Sequence, residues 1–211
     1  MGQGDRGEFV LEWAGPGLCL LPQRAVWRPD TASLIVTDLH LGKAGTFGAA
    51  GIPIPDTTDH DLGRLSQLLA SRPARRLVIL GDFFHAKAGV GEAMLERLRI
   101  FRANHADLDV TMVRGNHDQH AGDPPSDLRI DVVDGPIELD GLTLMHEPTE
   151  PTARADAQPA LAGHIHPAVS WREGKQTLRL PCFHLQRHML TLPAFGSFTG
   201  MHSVSRRGNA R

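Results

Sequence analysis

Five short clusters of aspartate, asparagine and histidine stand directly after apolar stretches. They are Asp38-Leu39-His40, Gly81-Asp82, Gly115-Asn116-His117-Asp118, Met145-His146 and Gly163-His164-Ile165-His166. Each places a metal-capable side chain where a strand is expected to end. In open α/β sheets functional groups gather outside the carboxyl ends of strands, so these tips can converge. In an extended chain residues i and i+2 point to the same side, so Asp38 with His40 and His164 with His166 would each present two ligands together. Any one cluster has a plainer reading: a capped strand end, an ordinary turn, or a hydrogen-bonded histidine. Five such clusters in one chain make coincidence a poor account of them.

The donors are nitrogen and oxygen, with no thiolate, which suits borderline divalent ions such as Mn²⁺, Fe²⁺ or Zn²⁺. Asp38, His40, Asp82, Asn116, His146, His164 and His166 are too many for one ion and enough for two that share a carboxylate. Two carboxylates against two divalent cations leave a charge of roughly +2. Paired metals ~3.5–4 Å apart match the attacking and leaving oxygens of in-line phosphoryl displacement. The expected chemistry is metal-assisted phosphoester hydrolysis.

These tips need strands and helices to aim them. Strands are expected at 9–13, 17–21 and 24–27, then at SLIVTDLH (33–40), LVIL (77–80) and VTMV (110–113). The glycine- and proline-rich stretch GKAGTFGAAGIPIP reads as a loop. Leu62, Leu65, Leu68 and Leu69 mark one face of a helix ending near Ser71, and Met94, Leu95, Leu98 and Phe101 mark a second at about 91–105. After residue 128 the chain turns to short β segments: RIDVV, PIEL, LTLMH, PALAGHIH, AVSWR, QTLRLP and MLTLP. Strand–helix–strand units followed by a β-rich half predict an α/β fold of two sheets packed face to face with helices outside. One domain is expected over 9–202, between a flexible N-terminus (1–8) and a flexible basic tail (203–211).

Composition narrows the function. A net charge of −2 offers no global field for a polyanion, so a nucleic acid would have to be held locally or through metal ions. Cys19 and Cys182 are too few for a disulfide framework or a four-cysteine zinc site and read as buried thiols. The N-terminus has no signal-peptide core and no apolar run approaches the ~18 residues of a membrane span, so a cytoplasmic protein is expected. The spacing GQGDRG has no strand before it and is not a dinucleotide fingerprint.

In order and spacing, D-x-H, G-D, G-N-H-D, H and G-H-x-H resemble the calcineurin-like metallophosphoesterase superfamily. The resemblance implies a four-layer α/β/β/α sandwich around a dinuclear centre. By motif, Asp38, His40 and His166 would hold one metal, with Asp82 bridging. Asn116, His146 and His164 would hold the second. His117 matches the histidine that contacts the phosphate and assists the leaving group, and a metal-bound water or hydroxide would attack. The segments LLPQRAVW, TDLHLGKAGTFGAAGIPIP, VRGNHD, LMHEP, LAGHIHP, LRLPCFH and LPAFGSFTG further resemble the bacterial DNA-ligase-associated metallophosphoesterases. That likeness implies a manganese-dependent phosphodiesterase with DNA endonuclease activity in repair, encoded beside a DNA ligase and a helicase. The family carries an arginine after the phenylalanine at position 47, where this chain has Gly48. The alternatives are a phosphomonoesterase or small-nucleotide hydrolase and, more remotely, a scaffold without activity.

Other residues have two readings. Arg114, before Gly-Asn-His-Asp, could fork onto a phosphate or pair with a surface carboxylate, and Lys43 is equally open. Arg72, Arg75 and Arg76 precede the strand leading to Asp82, on the side away from the metals, and read as a solvated face. Arg206, Arg207 and Arg211 could add weak, salt-sensitive DNA affinity. His60, His105, His188 and His202 read as structural or exposed, and His120 and His184, which lie nearer the motif segments, read as non-ligands. Many superfamily phosphatases have G-D-x-x-D, whose second aspartate orients the histidine corresponding to His117. Here His85 takes that place. It is expected either to face the substrate and tune diester against monoester use, or to be a hydrogen-bonded structural histidine.

Overall fold

The structure, a computed structural model, describes residues 2–3, 7–13, 17–149, 158–174 and 176–205. Eight strands form one sheet in chain order: β1 (Gly2–Gln3), β2 (Phe9–Leu11), β3 (Leu18–Leu21), β4 (Ala25–Arg28), β5 (Ser33–Val36), β6 (Arg76–Leu80), β7 (Asp109–Val113) and β8 (Asp131–Val133). β1 to β5 run antiparallel, while β5 to β8 are parallel. The parallel part is covered on both faces, as its continuous apolar runs require. Leu34, Val36, Leu77, Ile79 and Met112 point to one face and meet helices α2 (Thr58–Ser71) and α3 (Glu92–Asn104) through Leu65, Leu68, Leu98 and Phe101. Ile35, Val78, Leu80 and Val113 point to the other face and meet Leu142, Leu144, Leu161 and Leu190 of a second sheet.

That second sheet has the order β14 (His184–Gln186), β15 (Met189–Thr191), β11 (Ala160–Ala162), β10 (Leu142–Leu144) and β9 (Ile137–Leu139). Its three middle strands are parallel. A third, small sheet joins β13 (Gln176–Pro181), β12 (Pro167–Glu173) and β16 (His202–Ser203). The mixed α/β sandwich of facing sheets is therefore the fold that forms. Among the described residues the helices all lie in the half of the chain that builds the larger sheet. No helix of the fourth layer is found among them over the second sheet, whose outer face carries the small cluster of Met145, Ala160, Ala162 and Met189.

The loop expected at 42–55 contains a short helix, α1 (Lys43–Ala49). Its glycines gave a poor local helix signal. Contact with another segment holds it: a Cβ on Gly42, which has φ +77°, would lie 2.5 Å from the Gly89 carbonyl oxygen. The strand expected at 33–40 ends at Val36. Cys19 and Cys182 are free thiols. Arg206, Arg207 and Arg211, and most of the expected basic tail, lie outside the described residues.

Candidate metal centre

All five clusters follow parallel strands. β5 leads to Asp38 and His40, β6 to Asp82, β7 to Asn116 and His117, β10 to His146, and β11 to His164 and His166. The chain does not present them as extended pairs, which corrects the expected geometry. Asp38, His40, Asp82, His164 and His166 have φ of 52°, 47°, 49°, 70° and 52°. Non-glycine residues rarely adopt this left-handed backbone, and its strain is characteristic of functional sites. Each kink turns a side chain off its strand and into the space between the tips. Gly163 makes room for the closest approach, since a Cβ there would lie 1.8 Å from Thr37 Oγ1.

Two groups result. The ligand atoms of Asp38, His40 and His166 lie within 4.8 Å of one another, as do those of Asp82, His146 and His164. Asn116 joins the second group: its Oδ1 is 2.9 Å from His146 Nε2 and 3.0 Å from His164 Nδ1. In the first group His166 Nε2 is 3.3 Å from both His40 Nε2 and Asp38 Oδ1. Asp82 stands between the groups, with Oδ2 3.5 Å from His40 Nε2 and Oδ1 3.3 Å from His146 Nε2. All seven candidate ligands are brought together.

The electrostatics fit divalent cations. Asp38 is fully buried; its Oδ2 accepts from the His164 N–H at 3.0 Å and lies 2.7 Å from Thr37 Oγ1. Its Oδ1 is buried without a hydrogen-bond partner. An orphaned carboxylate oxygen facing imidazoles is the kind of donor a cation satisfies. Burial raises the Asp82 carboxyl above its ordinary pKa, more than His146 and the His117 N–H can offset. Burial pushes the Asp38 carboxyl up as well, but the adjacent His166 imidazole, 3.3 Å from Oδ1, and the charge of His146 bring it below the usual range. Burial also lowers His40 to about 3, which keeps its imidazole neutral, the form that binds metal.

Surrounding groups fix the rings. His146 Nδ1 lies 2.9 Å from the Leu80 carbonyl and His166 Nδ1 lies 3.0 Å from that of Gly200, so Nε2 of each faces the centre. Asp118 is buried and accepts from the N–H groups of Gly115 and Phe84 at 2.9 and 3.1 Å. It ties the β6 and β7 tips together, a role its sequence position did not announce. His117 Nδ1 lies 2.7 Å from the backbone carbonyl of His85, which supplies the orienting acceptor that an aspartate would otherwise provide. The His85 ring is sandwiched, with centroids 5.1 Å from His117 and 6.0 Å from Phe47. Burial, with the charges of Lys43 and His117, lowers it to about 4, so it is neutral near pH 7.

The two cations left open by the sequence are separated by the structure. Arg114 is bidentate to Asp123 and also pairs with Asp134. Lys43 donates to the Phe198 carbonyl at 2.9 Å and meets no carboxylate among the described residues. Among the histidines read as structural, His105 Nε2 lies 2.9 Å from Ser66 Oγ, and His60 is exposed beside Ser197.

The family model for calcineurin-like phosphoesterases matches residues 33–150. The solved structure of Pseudomonas putida nuclease MPE is 39% identical, covers 95% of this chain and 93% of that one, and has a TM-score of 0.82. Yfce, a phosphoesterase from E. coli, is 17% identical over 80% of this chain and 83% of that one, with a TM-score of 0.40, too distant to carry an argument. No curated protein matches the chain. The chain belongs to the calcineurin-like phosphoesterase family and is a metal-dependent phosphoesterase.

Proposed function

We propose that this protein is a dinuclear phosphodiesterase, manganese-dependent, that cleaves DNA as an endonuclease in repair. The observation that carries the reading is Asp82, which turns one carboxylate oxygen to each ligand group. One ion would take Asp38, His40 and His166, the other Asn116, His146 and His164, with Asp82 shared. Divalent ions there supply positive charge against a phosphate and lower the pKa of water enough to make a nucleophile near neutral pH. The donor set suits Mn²⁺ and also admits Fe²⁺ or Zn²⁺.

The protein's own groups do the rest. His117, with its Nδ1 proton directed at the His85 carbonyl, presents Nε2 4.0 Å from Asp82 Oδ2. From there Nε2 can bond a phosphate oxygen and deliver a proton to the leaving oxygen. The neutral His85 ring lines the substrate side of His117 and brings no carboxylate charge toward the phosphate. The likeness to a nuclease supports a nucleic acid as substrate, and the family resemblance supports DNA. The family resemblance supports functional association with a DNA ligase and a helicase. Among the described residues no helix is long and apolar enough to cross a membrane.

The test is a panel of an aryl phosphodiester, its monoester and a single-stranded oligonucleotide, each with Mn²⁺, Fe²⁺ or Zn²⁺. Both diesters should turn over, best with Mn²⁺, and the monoester more slowly. A monoester cleaved far faster than both diesters overturns the reading.

A further inference from the structure

Lys43 is a cation that the centre does not otherwise use. It opens α1, immediately after the segment carrying Asp38 and His40. Its Nζ lies 6.0 Å from the centre of the Phe47 ring and 5.4 Å from that of Phe198, and its one hydrogen bond is to the Phe198 carbonyl. Burial lowers its pKa, and its charge is felt at His85. Arg114 is neutralised by two aspartates, but among the described residues Lys43 has no such partner. The Phe47, His85 and His117 rings form a continuous stack leading from Lys43 to the centre. On the other side of Lys43, Phe198 stands 42% exposed, two residues before the Gly200 carbonyl that holds His166. An unneutralised ammonium and an open aromatic ring thus share the rim of the metal centre.

We propose that Lys43 and Phe198 form a subsite for the nucleotide flanking the scissile phosphate. Lys43 takes the neighbouring phosphate, and Phe198 stacks an unpaired base. The inference rests on the nuclease reading above. An ammonium is a point charge suited to phosphate, and an aromatic face stacks any base whatever its sequence. Bases held in a duplex are not free to stack on a side chain, so the subsite favours single strands.

The experiment measures kcat/KM for cleavage of an oligothymidylate across a series of KCl concentrations, beside turnover of an aryl diester that has no flanking nucleotide. Lys43→Met should reduce the slope of log kcat/KM against log salt by about 0.7, the value for one phosphate contact to a single strand. Lys43→Arg, which keeps the charge, should restore the slope. Arg75→Gln, far from the centre, should leave it unchanged. Phe198→Ala should raise KM for the oligonucleotide roughly tenfold. If Lys43→Met keeps the wild-type slope, or lowers aryl-diester turnover in the same proportion as DNA cleavage, the subsite is wrong. If the wild-type protein cleaves no oligonucleotide at all, the nuclease reading fails and takes the subsite with it.

Discussion

Asp82, Asn116, His146 and His164 extend from the tips of β6, β7, β10 and β11, and the main chain of the sheet steadies them. The Leu80 carbonyl, the last of β6, fixes the His146 ring. Asp38 and His40 also bond the β6 tip, at the carbonyls of Gly81 and Asp82, but Asp38 and His166 are further braced by a segment that returns from far along the chain. After β15, the N–H groups of Phe195 and Gly196 bond the carbonyls of Thr37 and Asp38 at 2.9 and 3.1 Å. The same segment reaches His166, where the Gly200 carbonyl meets the ring and the His202 N–H bonds the backbone carbonyl. Anchors from other elements hold it down. Arg64 donates to the Phe195 carbonyl at 2.9 Å, and buried Asp61 accepts from the Ser197 N–H and hydroxyl at 3.0 and 2.5 Å. One ligand group is formed by strands that the core already aligns. The other has this strap bonded to it as well.

The largest effect should come from the residue that belongs to both groups. Asp82→Asn removes the shared charge and should cut diester turnover by about a thousandfold or more, because charge set against the transition state is commonly the largest catalytic term. Metal analysis of the same variant should show both ions held less tightly. If one ion keeps its wild-type affinity, Asp82 is not shared.

That these seven residues would meet was legible because strand-tip position and residue type survive in a linear pattern. How they are presented was not. Asp-x-His and His-x-His suggested extended alternation, but the left-handed backbone at Asp38, His40, Asp82, His164 and His166 is set by crowding among the tips, which no local pattern encodes. The helix α1 was hidden because its glycines lower local propensity while allowing contact with Gly89. The partner of His117 is a backbone carbonyl, and carbonyls have no letter in a sequence. Arg114 and Lys43 looked alike until the carboxylates around each could be placed.

The strap makes the two ligand groups separable. Asp61→Asn keeps the shape of the anchor and weakens its hold on Ser197 and Arg64. Residues that orient ligands from outside commonly change metal affinity by 10–100-fold, so one of two Mn²⁺ binding steps should weaken by about tenfold. Calorimetric titration resolves the two steps. Equal weakening of both would mean that the strap serves the whole centre and not one ligand group.

The smallest effect, and the one that sets His40 against Asp82 by sign, is the pH dependence of stability in metal-free protein. The ordinary histidine pKa is about 6.5. His40 lies at about 3 in the fold, so between these values the unfolded chain takes up a proton that the folded chain refuses. Its contribution to stability therefore falls as the pH falls through that window, by no more than about 1.4 kcal/mol per pH unit. Asp82 acts in the opposite direction. Its folded pKa is raised, so just above the ordinary carboxylate value the folded state holds a proton that the unfolded chain has released. Its contribution falls as the pH rises through the folded pKa. Urea denaturation of chelated protein across acidic pH should thus give a flatter acid limb for His40→Gln and a steeper one for Asp82→Asn. Parallel curves for the two variants would mean that the two residues do not oppose each other, because the opposing signs follow from burial acting on a base at His40 and on an acid at Asp82.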